Sequence, residues 1–192
     1  MESEQADILT VVASFFEKHA IAYMLTGAWS VIYYGRPRAS HDVDLVVDFY
    51  PKDLPTLLSA LKQIESTYLF DAYAITNALE HKDLFQLIHK ETFLKIDCWM
   101  LQDDPFDQSR FQRKQRIQAF GQKMWIASPE DTILQKLRWY KDAKIEKHIV
   151  DAAFVYQIQK KLDNHYISQW AKILGVTRYL KKLRDINLEM YI

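Results

Sequence analysis

Apolar residues at Ile8, Val11, Val12, Phe15 and Phe16 recur at helical spacing, which predicts an amphipathic helix over residues 4–19. Ile21–Thr26 follows as a short buried strand. It runs directly into Gly27-Ala28-Trp29-Ser30 and then Val31, Ile32 and Tyr33, the pattern of a strand, a tight turn and a helix start. Gly35-Arg36-Pro37-Arg38 breaks that helix. Val43–Phe49 is largely apolar, as a central strand is, with Asp residues at its entry. Apolar positions at 54, 57, 58, 61 and 64 predict a second amphipathic helix over Lys52–Ile64, with Pro55 tolerated in its first turn.

Two further strands are predicted at Leu84–His89 and Phe93–Met100. In the second, Phe93, Lys95, Asp97 and Trp99 alternate with Leu94, Ile96, Cys98 and Met100, so Asp97 and Cys98 point to opposite faces. A short helix fits Asp107–Lys114, and Arg116–Phe120 pairs with Met124–Ala127 as a hairpin around Gly121-Gln122. From Ser128 the pattern turns helical. Ser128-Pro129-Glu130-Asp131 offers an N-cap serine, a proline at the first helical position and acids toward the positive end of the dipole. Three more helices fit residues 145–161, 164–174 and 176–190, with Gly175 as the break between the last two. The fold class expected is α+β: a mixed sheet with flanking helices over residues 1–127, then an α-helical region over 128–192.

At 192 residues, 49% hydrophobic and 14% aromatic, the chain can bury a proper core, which excludes disorder. The single cysteine, Cys98, rules out an internal disulfide framework, and the N-terminus lacks the pattern of a signal peptide. No apolar run approaches the roughly 18 residues a membrane span needs. A cytoplasmic protein without a membrane partner is therefore expected. The formal net charge is zero, but residues 1–100 hold 8 Lys+Arg against 14 Asp+Glu, and residues 101–192 hold 17 against 11. An acidic front suits a metal site and a basic back suits phosphates or nucleic acid; ordinary solvated surface explains both equally well.

The informative residues lie between 26 and 47. Asp42 and Asp44, one residue apart on a strand, share a face, and two ionised carboxylates side by side invite a divalent cation. Hard oxygen ligands favour Mg²⁺. The strand–glycine turn–helix at Gly27 presents backbone N–H groups and a positive dipole to a triphosphate, and Ser30 adds a hydroxyl. Asp97, mid-strand in Lys95-Ile96-Asp97-Cys98-Trp99, completes a three-carboxylate set.

These residues resemble the nucleotidyltransferase superfamily related to DNA polymerase β. Gly27-Ala28 stands at its glycine turn, Asp42-Val43-Asp44 at its Asp-x-Asp pair and Asp97 at its third acid. Ala28 departs from the usual second Gly or Ser. Arg38-x-Ser40-x-Asp42-x-Asp44 is similar to the signature of the branch containing AbiEii-type toxins. Lys136, after Ser128-Pro129-Glu130-Asp131, and Lys147 with Asp151 match later features of that branch. The resemblance spans roughly residues 20–157. It implies Mg²⁺-dependent transfer of a nucleoside monophosphate from a nucleoside triphosphate, at a two-metal site held by Asp42, Asp44 and Asp97. Lys136 and Arg38 would neutralise phosphate charge, Asp151 would orient Lys136 or contact the nucleotide, and Gly27, Ala28, Ser30 and Ser40 would complete the nucleotide site.

The branch further implies an RNA acceptor, tRNA above all, or a protein hydroxyl, and an antitoxin-like partner protein. Transfer to a small molecule of the aminoglycoside type is the alternative, and a catalytically silent nucleotide- or partner-binding module is a third reading that Ala28 favours. Plainer roles stand beside these. Lys136 also fits an exposed helix face, Asp151 a cap or salt-bridge partner, and Trp125, Trp139 and Tyr140 the core rather than base stacking. His41 would face away from its strand neighbour Asp42. The histidines show no zinc-ligand spacing. Arg110, Arg113, Lys114 and Arg116, with Lys181, Lys182 and Arg184, fit either a nucleic-acid backbone or solvated faces.

Overall fold

The computed structural model describes residues 2–40 and 42–191, so the expectation for His41 lies outside the described residues. The chain divides into two compact units, residues 1–28 with 39–126 and residues 29–38 with 127–192. Residues 29–38 cluster with the C-terminal helices.

The first unit is built on a seven-stranded mixed sheet: β1 (Ala22–Leu25), β2 (Asp42–Asp48), β3 (Tyr68–Leu69), β4 (Leu84–His89), β5 (Lys95–Met100), β6 (Gln115–Ala119) and β7 (Gln122–Ile126). Their spatial order is β3-β4-β5-β2-β1-β7-β6. The apolar strand β2 sits at the centre, antiparallel to β1 and parallel to β5, as its nearly continuous apolar run from Val43 to Val47 suits. In β5 the predicted alternation holds: Ile96, Cys98 and Met100 are buried while Lys95 and Trp99 are exposed. α1 (Glu2–Lys18) packs on β1 and β7 and buries Leu9, Val12 and Phe16. α3 (Leu54–Lys62) is entered by a 3₁₀ turn at Pro51–Asp53, which shortens the helix expected from Lys52.

Residues 68–81 contain two elements that the sequence pattern does not announce. β3 has two residues and exists through its pairing with β4. α4 (Ala72–His81) buries only Ile75 and Ala78, too narrow a stripe to read as a helix; Asp71 caps it by accepting from the Tyr73 N–H at 2.8 Å. The hairpin β6–β7 turns through Phe120-Gly121, both at positive φ, one position earlier than expected. α5 (Pro105–Gln112) starts on an Asp104 cap.

The second unit holds α6 (Pro129–Ala143), α7 (Glu146–Ile158), α8 (Asn164–Ile173) and the short α9 (Thr177–Leu180). One helix over 176–190 is a correction: the chain forms α9, then turns, then a 3₁₀ segment at Leu188–Tyr191. Val176, Tyr179 and Leu183 are buried there, but from Arg184 to Met190 no residue is, so nothing holds a longer helix in place.

Ser128 caps α6 as its residue type predicts, its hydroxyl accepting from the Asp131 N–H at 3.1 Å and donating to Asp131 Oδ2 at 2.7 Å. Asp131 Oδ1 in turn accepts from the Tyr166 hydroxyl at 2.7 Å, which ties α8 to the first turn of α6. Ser128→Ala is expected to cost about 1 kcal/mol, and more if Asp131 is left short of a donor, read as a fall of about 2–4 °C in the melting midpoint.

Candidate active site

The carboxylate site lies in the sheet unit and is set by strand register. β2 and β5 run parallel with Asp44 opposite Asp97 and Asp42 opposite Lys95. Across the next, antiparallel pairing, Gln86 of β4 stands opposite Asp97. Asp44, Asp97 and Gln86 therefore form a row across three neighbouring strands, each step about 4.8 Å. Asp42 shares the same face of β2, two residues before Asp44, and all three acids are half-buried. The Gln86 side-chain amide donates to Asp97 Oδ1 at 2.8 Å and fixes the orientation of that carboxylate. Gln86 is a site residue that sequence reasoning missed, because its partner lies on another strand in a register no local pattern encodes.

Gly27 closes the other side of the row. The Thr26 N–H donates to the Asp44 carbonyl at 2.9 Å, which brings the turn between β1 and α2 (Gly27–Tyr34) against β2. Gly27 has φ +63, and a Cβ built there would lie 1.9 Å from Asp44 Oδ2. Both backbone conformation and space demand glycine. Gly27→Ala is expected to cost at least about 1–2 kcal/mol from the left-handed backbone alone. Because Asp44 must also move, transfer activity should fall about tenfold or more. Urea melts and pyrophosphate release read the two effects separately.

Ser40 and Ser30 both lie beside the turn and the Asp pair in sequence and are both buried. The Ser40 hydroxyl donates to the Asp42 carbonyl at 3.0 Å and so fixes the entry of β2. Ser30 is buried at 1% exposure in the first turn of α2. Ala28 stands in the first turn of α2. Cys98 faces the opposite side of β5 from Asp97; it is fully buried, and burial first, then the Asp97 charge, raises its thiol pKa, so it is an inert core side chain.

The second cluster lies within the helical unit. Asp151 on α7 is fully buried and receives Arg38 Nε at 3.1 Å and Nη2 at 2.9 Å, a bidentate pair, while Lys136 Nζ on α6 lies 3.0 Å from its Oδ2. Lys136 is 4% exposed, which corrects the view of it as an exposed helix position. Asp151 orients both cations from a depth that nothing in solvent touches. In this cluster Arg38 and Lys136 share the Asp151 carboxylate. His148 responds to it: burial first, then the Lys136 charge, holds its pKa below the ordinary histidine value. Lys147, by contrast, is exposed.

The basic run after residue 109 is not the free cationic stripe that a nucleic-acid backbone needs. Arg110 is buried and paired with Asp107 at 2.6 Å, Arg116 is paired with Glu17, and Lys114 lies over the Phe111 ring. Trp125 is likewise engaged, with Lys114 and Arg116 over its ring, and Trp139 lies under Lys136.

The profile of the aminoglycoside-2''-adenylyltransferase family matches residues 8–127, which contain the turn, the Asp pair, Gln86 and Asp97. The chain belongs to this family. As an aminoglycoside-2''-adenylyltransferase family member it is a nucleotidyltransferase enzyme. Solved structures share the fold. An antigenic nucleotidyltransferase-like protein from Paracoccidioides brasiliensis aligns with a TM-score of 0.60 at 16% identity, over 94% of this chain and 92% of its own. The antibiotic-resistance factor ANT(2'')-Ia aligns with a TM-score of 0.61 at 13% identity, over 94% and 96%. The lincosamide antibiotic adenylyltransferase LnuA, in its lincomycin-bound form, gives 0.53 at 18% identity, over 79% and 96%. No curated protein gives a significant sequence match.

Nucleotidyltransferases of this kind use a divalent metal ion. The donor set here fits one: Asp42, Asp44 and Asp97 are hard oxygen donors on one sheet face, and like charges so close gain from a cation. Among the described residues no group of three His, Cys, Asp or Glu side chains is already placed to hold a metal ion. Among the described residues, too, no helix is long and apolar enough to cross a membrane.

Proposed function

We propose that this protein transfers a nucleoside monophosphate from a nucleoside triphosphate, with Mg²⁺ as its divalent ion, to a hydroxyl group of a small molecule of the antibiotic type. The observation that carries the reading is the row Asp44–Asp97–Gln86 with Gly27 closing on Asp44. Asp42 and Asp44 would hold the ion that escorts the triphosphate, and with Asp97 a second; bound there, the ions supply charge neutralisation at the reacting phosphate. Backbone N–H groups of Gly27 and Ala28, at the positive end of the α2 dipole, would receive the phosphates.

In the transfer, the acceptor oxygen bonds to the α-phosphorus as the bond to the β-phosphate oxygen breaks, and pyrophosphate leaves with the electron pair. The acceptor's hydroxyl proton passes to the Asp97 carboxylate, whose orientation Gln86 fixes. To Lys136, positioned by Asp151 with Arg38, we assign neutralisation of phosphate charge in the nucleotide-bound enzyme.

Two things favour a small-molecule acceptor over RNA or protein: the matched family, and the pairing of Arg110 and Arg116 with acids of their own unit. The toxin-like branch, with its antitoxin-like partner, gains no such support. The deciding experiment measures pyrophosphate release from each of the four triphosphates with Mg²⁺, using aminoglycosides, lincosamides or bulk tRNA as acceptor. Release stimulated by a small molecule and not by tRNA is expected. Stimulation by tRNA alone would return the RNA reading, and neither release nor triphosphate binding would return the silent module.

A further inference from the structure

The row of site residues continues into a cavity. Beyond Gln86 lies a cavity of about 410 Å³, lined by Leu84, Gln86 and Ile88 from the face of β4 that shares the side of Asp97, by Phe85 and by Ala74 of α4. Leu69, Phe70 and Asp71 complete the lining. Gln86 therefore belongs to both places: it lines the cavity and donates to Asp97. The strand order puts Gly27 and the α2 start on the β1 side of the carboxylates and this cavity on the β4 side. The volume is that of a drug-sized ligand site, roughly 300–1,000 Å³.

The lining chemistry limits the occupant. Leu84 and Ile88 occupy the same face of β4 as Gln86, and exposed Trp99 stands in register with Leu84, so the wall next to Asp97 is apolar. Among the described lining residues the Asp71 carboxylate is the only formal charge. A polyamine gains little here: its ammonium groups would lose water against leucine, isoleucine and phenylalanine with one carboxylate to pair.

We propose that this cavity is the acceptor subsite, and that the acceptor is a hydroxylated small molecule with an apolar flank and at most one cationic group, rather than a polycationic aminosugar. The proposal rests on the transferase reading above. It makes Leu84, Ile88, Ala74 and Asp71 the residues that set acceptor specificity.

The test is calorimetric titration of the full chain, without nucleotide, using lincomycin and clindamycin as apolar-flanked single-amine probes and tobramycin as the polyamine. Saturable binding of at least one single-amine probe, tighter than that of tobramycin, is expected. Ala74→Trp, which fills the cavity, should weaken it by at least about tenfold. Asp71→Asn, which keeps a capping side chain on α4 but removes the charge, should weaken it about threefold. Triphosphate affinity should stay unchanged in both variants, which also shows that they fold. Binding of neither single-amine probe, binding that survives both substitutions, or tighter binding of tobramycin would each overturn the proposal. Failure of the transferase reading is a separate result: the unmutated chain would neither bind triphosphate nor release pyrophosphate.

Discussion

Asp44→Asn is expected to lower nucleotidyl transfer by on the order of a thousandfold, several kcal/mol of lost stabilisation of the transferring phosphate. Asp44 stands at the crowded centre of the site, opposite Asp97 on β5 and against Gly27. Asp42, Asp44 and Asp97 are half-buried carboxylates on one sheet face, and like charges there repel one another. Neutralising one should therefore leave the melting midpoint unchanged or slightly raised. This combination separates a working carboxylate from a structural one. Pyrophosphate release and thermal melts of Asp42→Asn, Asp44→Asn and Asp97→Asn, taken together, check it. Activity and stability falling in parallel would make the acids part of the scaffold.

Asp151→Asn is expected to show the reverse signature, with stability lost first. Asp151 is fully buried and is the shared partner of Arg38 and Lys136, whose side chains are 11% and 5% exposed. Removing its charge takes from two largely buried cations the carboxylate they share, a change of about 3–5 kcal/mol. For a chain of this size that is a fall on the order of 10 °C in the melting midpoint. Lys136→Met gives the contrast, because the bidentate Arg38–Asp151 pair survives. Its melting midpoint should fall much less, while activity falls through the lost phosphate partner. Circular-dichroism melts of the two variants side by side decide this; equal losses would show that Lys136, too, serves only the fold.

Local chemistry carried the parts of this protein that depend on neighbours in sequence. Alternation along Phe93–Met100 separates Asp97 from Cys98, and the spacing of Asp42 and Asp44 on an apolar strand puts both on one face, because side-chain direction in a strand repeats every second residue. Ser128-Pro129-Glu130-Asp131 specifies its own helix start, since a cap acts within three residues. The Gly27 turn, too, is legible as a turn.

What the sequence could not carry is pairing. That Asp44 lies opposite Asp97 follows from β2 and β5 being neighbours, although about fifty residues separate them; Gln86 became a site residue through the same sheet order. β3 is a strand only because β4 offers it hydrogen bonds, and the narrow apolar stripe of α4 gains meaning from the strand it covers. The fates of Ser30, Lys136, Asp151, Arg110 and Arg116 turned on burial and partners, which no residue type decides alone. Propensity, capping and face alternation are short-range and written in the chain; register, burial and the compensation of charge arise only when distant segments meet.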